Sequence, residues 1–99
     1  MSDDFADKYK LIGEQKFYNF LLTYAINKLL LIKEKSYKGM SPELELLEYH
    51  DKFLTLYRRG EDEVNLELSK VFRKAAHKIY RLMLKKDMSN KNSRFINSV

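Results

Sequence analysis

Residues 64–83 read VNLELSKVFRKAAHKIYRLM. At about 100° per residue, Val64, Leu68, Val71, Phe72, Ala75, Ala76, Ile79, Leu82 and Met83 fall on one broad arc, and Lys70, Arg73, Lys74, Lys78 and Arg81 fall opposite it. That pattern is an amphipathic helix with one side committed to a core.

The stretch just before it reads Arg58-Arg59-Gly60-Glu61-Asp62. Cations suit the negative end of one helix, glycine terminates it, and acids suit the positive start of the next. Upstream, Leu46, Leu47, Tyr49, His50, Phe53, Leu54, Leu56 and Tyr57 gather on one half of a second helix, leaving Glu45, Glu48, Asp51, Lys52 and Thr55 on the other. A second punctuation, Gly39-Met40-Ser41-Pro42-Glu43, supplies a stop, a cap and a proline suited to the first helical position. Helices are therefore predicted at about 4–37, 42–59 and 62–87, with Gly13 a candidate break in the first.

The first helix differs from the other two. Between residues 17 and 32 its polar stripe is only Lys16, Asn19, Thr23 and Asn27, with Lys28 elsewhere. A helix apolar over most of its circumference needs cover from more than one side. The expectation is surplus apolar surface closed by a second subunit, with Phe17, Tyr18, Leu21, Leu22, Tyr24 and Leu29 at the interface. The fold class is all-α: three main helices in an antiparallel bundle, the first open to a break near Gly13, completed by dimerisation. Residues 1–87 form one helical domain and residues 88–99, rich in Asn and Ser, read as a flexible tail.

Composition narrows the function classes. Ninety-nine residues with 44% hydrophobic and 33% charged side chains make one soluble domain rather than two, or a disordered chain. Cysteine is absent, which excludes disulfides, thiolate zinc sites and cysteine nucleophiles and fits a cytoplasmic home. The apolar run 17–32 is shorter than a membrane span and interrupted by Asn19, Thr23, Asn27 and Lys28, so no membrane span is expected.

No catalytic, cofactor-binding or metal-binding set stands out. The acids sit at solvent-side positions or near helix starts, and neither histidine belongs to an HExxH-like pattern. His50 lies amid the apolar arc of the second helix, which makes it a core-edge residue seeking a hydrogen-bond partner or, less commonly, a pH-sensitive one. The tripeptide Leu56-Tyr57-Arg58 resembles the signature of small mitochondrial helical adaptors that assist iron–sulfur and respiratory assembly. The match covers three residues only, and Gly60 interrupts the helix where that pattern continues, so it assigns no family.

Charge is uneven along the chain. Residues 41–69 hold eight acids against three bases, a net of −5, whereas residues 70–94 hold nine bases against Asp87 alone, a net of +8. Lys70, Arg73, Lys74, Lys78, Arg81 and Lys85 form a basic ridge of roughly 22 Å at 1.5 Å rise per residue. The leading expectation is a non-enzymatic regulatory or adaptor protein, without cofactor, that contacts itself and an unidentified protein partner. The alternative is a DNA- or RNA-binding regulator using the ridge.

Overall fold

The computed structural model describes residues 5–35 and 39–97, with side chains described as far as residue 85. Among the described residues every element is a helix: α1 (Phe5–Ile12), α2 (Glu14–Lys33), α3 (Pro42–Gly60) and α4 (Glu63–Asn97). The all-α class is as expected, and the first predicted helix is broken into two at Gly13. That residue takes φ +87° and ψ 169°, a region essentially reserved for glycine. Its N–H bonds to the Tyr9 carbonyl, and its own carbonyl accepts from Phe17, so the turn keeps its backbone bonds while changing direction.

Helix ends depart from the predicted boundaries for local reasons. α2 stops at Lys33 rather than 37 because Lys35 itself turns left-handed, at φ +62°, and its N–H bonds back to Ile32. Gly39 was expected to supply that stop and lies beyond it. At the next junction Gly60 remains helical, and Glu61 takes the left-handed position, φ +54°. Asp62 then caps α4, its carboxylate accepting from the Val64 N–H at 3.0 Å. Ser41 precedes Pro42 as predicted, but its hydroxyl meets the Glu43 carboxylate instead of a backbone N–H. The backbone of α4 stays helical past residue 87, the predicted end, to Asn97.

α3 and α4 form the most extensive pair and run antiparallel: Phe53 and Tyr49 stack on Phe72, and farther along Leu47 and Leu44 lie beside Ala76 and Tyr80. α2 lies across both, and α1 folds back against α2 and α4. The core consists of Phe17, Leu21 and Ala25 from α2, Leu46 and Phe53 from α3, and Leu68, Val71, Phe72, Ala75, Ala76 and Ile79 from α4. Phe72 is its centre, with four rings at 5.2–5.7 Å: Phe5 and Phe17 edge-on, Tyr49 and Phe53 stacked. Offset-stacked and edge-to-face geometries are the ones the ring quadrupole favours.

Because α3 runs against both neighbours, the end of α2, the start of α3 and residues 76–85 of α4 meet at one end of the three-helix packing, beyond which α4 continues to Asn97. α4 is about 52 Å long and occupies most of a 58 × 23 × 23 Å body.

Candidate interaction surfaces

The apolar surplus predicted for the first helix is present, but it is placed differently. Phe17 and Leu21 are buried in the chain's own core, with no surface left for a second subunit. Tyr18, Leu22 and Leu29 are half-buried. Tyr24 sits at the core edge, its hydroxyl donating to Glu45 at 2.6 Å. What remains open on α2 is Ile26, Leu30, Leu31 and Ile32, from 36% to 52% exposed. Leu22, Ile26, Leu29 and Leu30 share one side of the helix at the spacing used for helix packing.

Most of the other exposed large apolar side chains are at the same end: Met40, Leu44, Tyr80, Leu82 and Leu84. Leu11 and Leu56 are exposed elsewhere. Between α3 and α4 at this end lies a groove of about 390 Å³, floored by Leu47, Ala76 and Met83 and flanked by Leu44, Tyr80, His77 and Glu43. Among the described residues, Oε2 of Glu43 is buried with no hydrogen-bond partner. An uncompensated carboxylate oxygen is costly to bury, so this atom favours an incoming donor.

Lys28, which the sequence placed off the polar stripe, turns inward. Its ammonium bonds both oxygens of Glu45 at 2.9 and 2.7 Å and lies 4.3 Å from the Tyr24 ring centroid. Burial, with the hydrogen bond to Glu45 next, pushes the Tyr24 hydroxyl pKa above its ordinary value. This cluster ties α2 to α3 and is structural.

The six cations of the predicted ridge are all exposed along α4. Among the described residues, none of the six is ion-paired with a carboxylate. Lys70, Arg73, Lys74 and Arg81 line a shallow depression of about 300 Å³ together with His77. Lys74 packs over the Tyr18 ring, 4.7 Å from its centroid. Tyr18 therefore belongs to the edge of the basic face, a role its neighbours in sequence do not announce.

His50 is held at the core edge. A carbonyl can only accept, so Nδ1–H donates to the Ser69 carbonyl at 2.8 Å, and Nε2 lies 3.9 Å from Asp51. Ser69, itself buried, turns its hydroxyl back to the Leu66 carbonyl. The histidine thus joins α3 to α4.

A concavity of about 840 Å³ lies open over the outer side of α3 between Glu45, Glu48, Asp51, Lys52 and Arg59, charges of both signs. Among the described residues no three His, Asp or Glu side chains cluster as metal ligands, and no helix is long and apolar enough to cross a membrane. Compared with known protein families, with curated proteins and with solved structures, the chain matches none.

Proposed function

We propose that this protein is a non-enzymatic helical adaptor or regulator that acts in the cytoplasm by contact with other proteins, beginning with a second copy of itself. The observation that carries the reading is the gathering of exposed apolar side chains where the end of α2, the start of α3 and the middle of α4 meet. Exposed apolar side chains gathered in this way on a small chain mark a contact site.

Two features favour a second copy. The side of α2 bearing Leu22, Ile26, Leu29 and Leu30 finishes in Lys33, an apolar ridge ending in an ammonium. The α3–α4 groove has an apolar floor and an unsatisfied Glu43 oxygen. Ridge and groove are complementary in shape class and in charge, and a twofold arrangement uses each surface twice. The second copy then completes the bundle.

Sedimentation equilibrium from micromolar to sub-millimolar concentration tests this. The expected result is a concentration-dependent dimer that becomes monomeric, with unchanged helical circular dichroism, on Ile26→Glu with Leu30→Glu. A wild-type chain that stays monomeric throughout overturns it.

A further inference from the structure

We propose that the outer face of α4 is a binding site for the phosphate backbone of duplex nucleic acid, centred on Lys74 and Arg81. The site adjoins the α3–α4 groove along α4, with His77 on their common border, and does not rest on the self-association reading.

Charge density comes first. Six exposed cations over roughly 22 Å give about one per 4 Å, close to the one phosphate per ≈ 3.4 Å along each strand of a duplex. The charges are also free to act, because none is neutralised by a described carboxylate. An ordinary solubilising surface mixes both signs, whereas this face carries one sign from Lys70 to Lys85. Lys74 is held in place by the Tyr18 ring, and five side chains form a common shallow depression rather than scattered points.

Geometry then selects the partner. The ridge is straight and rigid because the other side of the same helix is locked in the core by Leu68, Val71, Phe72, Ala75, Ala76 and Ile79. A straight row of charge fits a stiff duplex. Single-strand sites are built on rows of aromatic platforms, but here Tyr18 is engaged under Lys74 and Tyr80 lines the apolar groove. An anionic membrane binds helices that bury an apolar side in lipid, and from Leu68 to Ile79 the apolar side of α4 is already occupied by the core.

The test is fluorescence anisotropy of the full chain with a random-sequence DNA duplex, a single strand of the same length, anionic phosphatidylserine vesicles and polyglutamate. With four phosphates engaged, log K should fall against log salt with a slope of about −3.6, a loss of about 150-fold between 50 and 200 mM. Lys74→Gln with Arg81→Gln should flatten that slope by about 1.8, and Lys74→Glu with Arg81→Glu should weaken binding more than tenfold. Lys10→Glu, the same charge change on α1, should weaken it far less. These positions are exposed, so circular dichroism should be unchanged, and Lys78→Gln with Lys85→Gln gives an independent pair. The Ile26→Glu/Leu30→Glu chain should keep the wild-type slope per chain, and loss of binding there overturns the ridge as a self-sufficient site. Duplex affinity unchanged in the charge-reversed variant, or vesicle or polyglutamate binding as tight as duplex binding, also overturns the proposal.

Discussion

Replacing Phe72 with leucine isolates what the aromatic cluster contributes, because leucine keeps most of the buried apolar volume and removes the ring. Phe72 is fully buried and meets four rings at 5.2–5.7 Å. The change in apolar volume alone costs under about 1.5 kcal/mol. Each ring pair contributes about 0.5–1.5 kcal/mol beyond area, and pairs that share one ring do not add fully. The expected loss is therefore about 2–4 kcal/mol for Phe72→Leu, rising to about 5 kcal/mol for Phe72→Ala, where a cavity opens as well. A domain of this size has roughly 5–15 kcal/mol in total, so the alanine variant should be largely unfolded at modest urea. Urea melts followed by circular dichroism and by the fluorescence of the seven tyrosines measure it, at fixed protein concentration so that association does not shift the midpoint. A Phe72→Leu chain within about 0.5 kcal/mol of wild type would refute the assignment of Phe72 to the centre of the core.

Glu61→Gly should stabilise the chain by about 0.5–1 kcal/mol in the same melts, because glycine takes the left-handed φ of +54° without the steric cost that glutamate bears. Gly13→Ala should destabilise it by about 1–3 kcal/mol even though nothing lies within 4 Å of the added methyl, since the cost is in the backbone at φ +87°. Asp62→Ala removes the α4 cap and should cost about 1 kcal/mol, with Asp62→Asn recovering most of it. At alkaline pH, Tyr9 and Tyr24 both have hydroxyl pKa values raised by burial, with Glu67 and Glu45 respectively adding to it. A raised folded pKa means their contribution is full below pH 10 and is lost as pH climbs through the folded value. The Tyr9→Phe/Tyr24→Phe double variant should therefore show a shallower fall in stability above pH 10, read by urea midpoints across the alkaline range.

The sequence revealed most where one side of a helix is polar. On α4 the apolar and basic arcs stand opposite each other, and both the core residues from Leu68 to Ile79 and the six exposed cations follow from spacing alone. On α2 that contrast is missing. Phe17 and Leu21 look no different from Ile26 and Leu30 by hydropathy, so nothing in the run separates the side facing α4 from the side left open. Only the tertiary pairing decides, and it also draws Lys28 inward to Glu45, against its usual preference for water. The turn chemistry was legible in kind but displaced by a residue or more, because Lys35 and Glu61 accept the left-handed conformation that the nearby glycines were expected to take. His50 was legible as needing a partner, whereas the Ser69 carbonyl that meets it comes from a different helix.

Carrying a core on one side and a row of cations on the other makes α4 far more sensitive to length than to substitution. One inserted or deleted residue between Phe72 and Ile79 would rotate everything beyond it by about 100°, swinging charged side chains toward Leu46 and Leu47 and apolar ones into water. Drift in this segment should therefore proceed by exchange of Lys for Arg or Ile for Val, while gains and losses of residues are confined to the connections between helices.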